Sequence, residues 1–422
     1  MLTETSTRET RTVVRRSVPV VEPRVKPRPS SRPRRPRSDG LRHVALLIET
    51  SGSYGRGLLR GIARYNREHG TWSVFLRPTG LFDPLPAWLR DWDGDGILAR
   101  QVSPELWKTA EARGIPVVNL RGAIEDAPAP SVTVDNAEIA RLAAEHLLER
   151  GFRRFAFCGK PAGTNAVLDQ RGEQFAERLR AAGHECVVYQ PATANAKAGW
   201  EAEQDRLAAW LQALPKPIGV LACNDERGLQ ILDACRRAGV LVPDDVAVVG
   251  VDNDVPLCEL TIPPLTSIDV NSEAVGYEAA AVLDHMMSGG QRPERPLRLP
   301  PRGVVVRRSS DTTASDDEDV CRALRFIHDN ACRGLQASDV LAHLGMSRAA
   351  LQARIKQVTG RTIHREIQRV RLNRACELLT GSDLTIKQVA RESGFASVQY
   401  LTRVFRANLG ETPALYRRRR RA

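Results

Sequence analysis

Residues 386–410 read IKQVARESGFASVQYLTRVFRANLG, and their pattern decides how the C-terminal quarter of the chain folds. Ile386 to Ser393 has helical spacing, Gly394-Phe395 interrupts it, and a second helix is expected from Ser397 to Ala407. Ser397 is placed to cap that helix by accepting from a free backbone amide. Leu401, Val404 and Phe405 fall on one face of it, and Val398, Gln399, Thr402 and Arg403 on the opposite face. The same grammar occurs upstream. Ala337 to Leu344 is followed by Gly345-Met346-Ser347 and by a helix from Arg348 to about Val358, with Leu341, Leu344, Leu351 and Ile355 inward and Ala349, Gln352, Ala353 and Lys356 outward. Ile363 to about Leu379 reads as a helix joining the two units. At ~1.5 Å per residue it spans ~24 Å. With the width of each unit added, successive major grooves ~34 Å apart come within reach of the paired helices. One helix-turn-helix is imitated by many helical hairpins; two in series point to a DNA reader.

Charge agrees with that reading. The chain has 422 residues and a formal net charge of +12. Residues 1–40 hold 11 basic and 4 acidic residues, and residues 316–422 hold 20 and 11, so the middle is mildly acidic. A polyanion partner therefore belongs at the C-terminus, and double-stranded DNA is the expected one. Arg403 is suited to guanine and Gln399 to adenine, each bidentate pair discriminating by ~1–3 kcal/mol. Arg348, Gln352, Lys356, Ser397, Val398 and Thr402 complete the candidate DNA-binding set, against the plainer alternative of a solvated helix face. The run Arg417 to Arg421 suits phosphate or is a charged end. Through IKQVARESGF, SVQYLTRVFRANLG and ETPALYRRR (411–419), residues 318–420 resemble the AraC-type regulator domain. Ala353 and Ile355 depart from it, standing where related domains often carry a long polar side chain and Phe. The first unit is therefore expected to read fewer bases than the second.

Upstream, from Leu41 to about Arg308, short apolar runs alternate with amphipathic helices, as in a parallel sheet covered by helices. HVALLI (43–48), WSVFL (72–76), GILA (96–99) and PVVNL (116–120) read as strands, and after Gly151 the alternation restarts with FAFCG, CVVY, GVLACND and VAVVGVDND. Two α/β halves in succession imply a cleft between them. Residues 1–40, with Pro27 to Pro36 interleaved by Arg28, Arg32, Arg34, Arg35 and Arg37, read as a disordered basic tail. The polar stretch 309–319, SSDTTASDDED, is expected as a linker ahead of a DNA-binding domain at 320–422. Eight scattered cysteines without a CxxC pair are expected reduced, and neither they nor the histidines have metal-ligand spacing, so no metal or cofactor is expected. No apolar run approaches the ~20 residues needed to span a bilayer. With no apolar stretch of signal-peptide length at the start, a cytoplasmic location is expected.

Open α/β sheets bind ligands at the carboxyl ends of their strands. Asp225 ends GVLACND, Asp252 ends VAVVGVD, and Tyr54 and Arg56 follow the first strand in SGSYGRG. Carboxylates, arginines and an aromatic face are the groups that hold a sugar. Each also has a structural alternative: a cap or loop carboxylate for the aspartates, core packing for Tyr54. Asp135 and Asn136 are read as helix caps more than cleft residues. Gly52, Gly55 and Gly57 fit neither dinucleotide nor P-loop spacing, so a nucleotide-binding enzyme is the weaker alternative. Through FRRFAFCGKP, NDERG, VVGVDND and RRSSD, residues 41–308 resemble the LacI-type periplasmic-binding-protein fold, without that family's N-terminal DNA headpiece. The resemblance implies that Arg171, opening RGEQF, contacts ligand; the alternative is a surface ion pair. A LacI-like two-lobed sensor fused to an all-α tandem helix-turn-helix domain is the arrangement of xylose operon activators, over about residues 41–420. It implies a sugar-responsive transcription regulator, D-xylose first among ligands, activating rather than repressing, as a homodimer beside RNA polymerase. A different small molecule in the same sensor is the alternative.

Overall fold

The computed structural model describes residues 40–70, 72–77, 87–100, 102–121, 129–191, 199–315 and 317–421. The arginine- and proline-rich tail lies outside them. The first lobe is built on β1 (Arg42–Leu47), α1 (Ser53–His69), β2 (Trp72–Leu76), β3 (Gly96–Ala99), α2 (Pro104–Ala112) and β4 (Val117–Asn119). Its parallel sheet runs β2-β1-β3-β4. The strands are short apolar runs because helices cover both faces: Val44, Leu46 and Leu98 join one core and Ala45, Ile97 and Val117 another.

After β5 (Val132–Val134) the chain enters the second lobe through α3 (Asn136–Glu149), β6 (Phe155–Cys158), α4 (Ala166–Ala181), β7 (Cys186–Tyr189), α5 (Trp200–Ala213), β8 (Ile218–Ala222), α6 (Asp225–Ala238), β9 (Val246–Val251), α7 (Val255–Leu260) and β10 (Thr266–Asp269). It then returns to the first lobe as α8 (Ser272–Met287), pairs β11 (Leu297–Leu299) with β5, and closes on the second sheet as β12 (Gly303–Val305). That sheet runs β12-β10-β9-β8-β6-β7. Three crossings between the lobes, near Asp135, Asn271 and residues 300–302, make a hinge beside the cleft. Asn271 adopts φ 57 there. The return of α8 is fixed by small residues: a Cβ on Gly61 would meet the Glu273 carbonyl oxygen at 1.9 Å, and one on Gly276 the Leu58 oxygen at 2.1 Å.

The stretch expected as a linker is not a free tether at its start. Ser309 and Ser310 are fully buried, Asp311 nearly so. Ser309 Oγ donates to the Val248 carbonyl at 2.6 Å and accepts from Thr266 N at 2.8 Å. Ser310 Oγ donates to Thr266 Oγ1 at 2.8 Å and lies 2.8 Å from His146 Nε2. Burial, then the charge of Arg150, pushes the His146 imidazole down to about 3, so it sits neutral in this network.

The C-terminal body is all helix: α9 (Glu318–Asn330), α10 (Ala337–Leu344), α11 (Arg348–Thr359), α12 (Ile363–Gly381), α13 (Ile386–Glu392), α14 (Val398–Leu409) and α15 (Pro413–Arg421). Ser347 accepts from Ala350 N at 3.3 Å, and Ser397 from Tyr400 N at 3.1 Å. Leu351 and Ile355 anchor one core, Leu401, Val404 and Phe405 the other. The turn at Gly394 requires glycine twice over, having φ 78 and a Cβ position only 2.7 Å from Cys332 Cα. Helix α12 meets the sensor through Asp311, whose carboxylate accepts from Arg369 and, at 2.8 Å, from Asn373 Nδ2. Burial would raise the Asp311 carboxyl, but Arg369 and Asn373 hold it below the usual carboxylate range. Arg325 of α9 adds a 2.7 Å pair to Asp244, just ahead of β9. No helix among the described residues is long and apolar enough to cross a membrane.

Candidate functional site

Between the lobes lies a cavity of about 330 Å³, the size of a small-molecule site. Its polar lining comes from strand ends. Glu49 follows β1, Arg100 follows β3, Arg121 follows β4, Lys160 follows β6, Asp225 opens α6 after β8, and Asp252 follows β9. Tyr54 enters from the first turn of α1 and Arg171 from α4.

In the first lobe Arg100 pairs with Glu49 and lies over the Tyr54 ring, its Cζ 4.5 Å from the centroid. One oxygen of Glu49, the Tyr54 hydroxyl and Arg100 Nε are nevertheless buried without a protein partner. Such groups cost roughly 1–3 kcal/mol each when left unsatisfied, which marks a place for a ligand with hydroxyls. Burial pushes the Glu49 carboxyl up and the Tyr54 phenol up to about 12, and pushes the Arg121 guanidinium down.

In the second lobe Arg171 is 3 % exposed and ties three segments together. It donates to Asn136 Oδ1 at 3.1 Å and to the Cys223 carbonyl, and Asn136 Nδ2 in turn donates to Val167 O at 3.1 Å. Asp135 caps α3 by accepting from Ala137 N and Glu138 N, as expected for it, while Asn136 serves Arg171 instead of capping. Asp225 accepts from Ser267 Oγ at 2.5 Å and from Asp254 N at 2.7 Å, so it also holds the loop after β9. Burial and then the Asp252 charge push its carboxyl up to about 7. Burial likewise pushes Asp252 up to about 6, against the nearby charges of Arg171 and Arg100. Asp252 holds φ 108, a conformation that L side chains adopt rarely and that persists at binding sites when the surroundings enforce it.

Four of the five ligand residues read from sequence, Tyr54, Arg171, Asp225 and Asp252, thus line one cavity. Arg56 does not. It is exposed, its guanidinium donates to the carbonyls of Thr50 and Ser51, and it lies 3.8 Å from Asp254 across the cleft rim. Glu49, Arg100, Arg121 and Lys160 were missed, although each follows a strand that the sequence reading had located.

At the other end of the chain, Val398, Gln399, Thr402, Arg403 and Arg406 share one shallow face of α14. Gln399 and Arg403 are exposed, Val398 is half-buried, and Thr402 Oγ1 donates to the Val398 carbonyl at 2.8 Å. Ser397 is occupied as a cap. On α11 Arg348 and Lys356 are exposed, but Gln352 is half-buried and accepts weakly from Ile363 N at 3.4 Å. Arg354 is turned away to Asp317 and Asp319 at the start of α9. On these faces the first unit thus exposes Arg348 and Lys356, and the second Gln399, Arg403 and Arg406.

Comparison with known proteins gives a consistent picture. Residues 144–310 match a family model described as a periplasmic binding protein-like domain, and residues 340–419 one described as a helix-turn-helix domain. The xylose operon regulatory protein of Escherichia coli K12 is 30% identical over 380 residues, covering 89% of this chain and 96% of that protein. Its namesake from Haemophilus influenzae is 29% identical, covering 89% and 97%. A solved structure of the xylose-binding transcription activator xylR superposes with a TM-score of 0.70 at 30% identity, covering 89% of this chain and 98% of that one.

Proposed function

The chain belongs to the family of the xylose operon regulatory proteins and is a sugar-responsive, DNA-binding transcription regulator; from that premise we propose that its cleft takes D-xylose. The observation that carries the ligand class is the set of buried, unpartnered polar atoms in the cavity: a Glu49 oxygen, the Tyr54 hydroxyl and Arg100 Nε. A pentose brings hydroxyls that donate to Glu49 and Asp252 and accept from Arg100, Arg171 and Tyr54, and a cavity of about 330 Å³ has room for it. Asp225 shapes the second-lobe wall. Arg56 is assigned to the rim and not to the ligand. Sugar shifts the lobes toward closure only by its higher affinity for the closed form.

On the DNA side, Gln399 and Arg403 are the base readers, with Val398 and Thr402 beside them for apolar contact. Arg348, Gln352 and Lys356 form the first unit's weaker face, and Ser397 acts through the cap. The protein works in the cytoplasm as a homodimer that recruits RNA polymerase and activates sugar catabolism, and no enzymatic step is assigned to it. Isothermal titration against D-xylose, other pentoses and hexoses tests the sensor: heat with xylose that disappears in Asp252→Ala is expected, and no heat with any sugar refutes it. Footprinting on the chain's own upstream DNA, with and without xylose, tests the reader. A footprint unchanged in Arg403→Ala and Gln399→Ala removes those residues from the base-reading role.

A further inference from the structure

The two recognition helices can be laid on one another by their capping serines, Ser347 and Ser397. Position for position, Arg348-Ala349-Ala350-Leu351-Gln352-Ala353 then faces Val398-Gln399-Tyr400-Leu401-Thr402-Arg403. The leucines match and point into the two cores. Two other positions change together. Where the second unit has Tyr400 and Arg403, the first has Ala350 and Ala353.

The structure gives the pair a physical link. Arg403 Cζ lies 5.0 Å from the Tyr400 ring centroid, one helical turn away, within the range of a cation–π contact. Tyr400 itself is not loose. It is half-buried, its hydroxyl accepts from Gln368 Nε2 of α12, and its ring meets Phe395 at 5.8 Å. An exposed arginine without such a platform samples many rotamers before it can present its planar fork to a base.

We propose that Tyr400, held by Gln368, is the positioning residue for Arg403: the ring fixes the guanidinium over the second unit's reading face, and the first unit lacks both parts. This rests on Arg403 reading a base. Tyr400 acts in this proposal through Arg403, which it touches, so its loss lowers discrimination at one base position and spares the phosphate-driven part of binding.

The test uses the full chain and a library of random duplexes, sequencing the bound fraction with and without D-xylose and recording affinity for unselected DNA against salt. Arg403→Ala first identifies the position that this side chain reads. Tyr400→Leu is expected to reduce base preference at that position by about two- to fivefold, with other positions and the salt slope unchanged. Tyr400→Phe, which keeps the ring, retains most of the preference, and Gln368→Leu loses part of it. In an Arg403→Ala background Tyr400→Leu causes no further loss there. If Arg403→Ala flattens one position and Tyr400→Leu leaves it sharp, the positioning role is overturned while the base-reading role stands. If Tyr400→Leu and Tyr400→Phe weaken all positions alike, Tyr400 is a packing residue and the proposal fails. If Arg403→Ala flattens no position, both assignments fall.

Discussion

Asp252→Asn should make the ligand-free protein more stable and its sugar binding weaker. The carboxyl at 252 is pushed up to about 6 by burial, from an ordinary value of 3.8, despite the nearby charges of Arg171 and Arg100. Raising the carboxyl that far costs the ionised form roughly 3 kcal/mol at most, and the half-buried setting of Asp252 discounts this to about 1–3 kcal/mol. Because the folded value is raised, the group's contribution to stability is fully present below the unfolded value near 4 and is lost as pH rises through about 6. An amide does not ionise, and asparagine accepts the φ of 108 more readily than most residues. The variant's thermal midpoint should therefore exceed wild type at pH 8 by about 3–10 °C, and the difference should shrink toward pH 4. Calorimetry of the sugar-free proteins at both pH values measures this. In parallel, loss of a charged acceptor should weaken sugar binding by about 10- to 100-fold, read by titration at pH 8. A variant less stable than wild type at pH 8 refutes the reasoning, because the carboxylate would then be held by interactions worth more than its desolvation.

Asp311→Ala leaves Arg369 buried with only Glu366 as a partner and removes the acceptor of Asn373; a loss of about 2–4 kcal/mol is expected, visible as separate unfolding of sensor and reader in calorimetry. Part of it should return in Asp311→Ala/Arg369→Met. Gly276→Ala places a methyl 2.1 Å from the Leu58 oxygen, so α8 must move off α1; a loss above about 2 kcal/mol is expected in denaturant titration of the full chain. Ser397→Ala removes the cap from Tyr400 N; about 1 kcal/mol of stability should go, with weaker binding at all operator positions equally, in contrast to the position-specific loss expected for Tyr400→Leu.

The reader was legible in sequence almost to the residue because its signals are local: a serine cap, a glycine turn and a 3.6-residue period each leave their mark within a dozen positions. Leu351, Ile355, Leu401, Val404 and Phe405 all face inward where the spacing put them. The cleft was half legible. The rule that ligands gather at strand ends gave Tyr54 and Arg56 after β1, Asp225 after β8 and Asp252 after β9; applied also to the residues directly after β1, β3 and β4 it finds Glu49, Arg100 and Arg121. Arg56 lies at the rim because closeness to Tyr54 in sequence says nothing about direction: two residues along a helix turn a side chain by about 200°. Ser309, Ser310 and Asp311 looked like a tether because they are polar, yet they are buried, since Thr266, the Val248 carbonyl, His146 and Arg369 satisfy them. Composition does not reveal partners that lie forty or more residues away.

The position of Asp311 constrains how sugar can be felt by the reader. Every sensor contact of the helical body described above falls on the second lobe: Asp244 ahead of β9, and Asp311 beyond β12. Asp311 is seated through Ser309 and Ser310 on Thr266 at the start of β10, and the next residue, Ser267, binds Asp225 in the cleft wall. On the reader side, α12 presents Arg369 to Asp311 and the preceding Gln368 to Tyr400, so the second reading helix is braced by the same stretch of α12 that docks on the sensor. The reader is thus carried by the second lobe, and closure of the first lobe over a sugar swings that lobe relative to both. Rigid closure within one chain would leave the four candidate reading side chains of α14 where they were with respect to their own support. For closure to change DNA binding, the first lobe must act on something outside its own reader, and in the proposed homodimer the other copy would be that something. In the proposed homodimer sugar would then set the spacing between two readers rather than the shape of either, which is the variable to which paired half-sites one helical turn apart are sensitive.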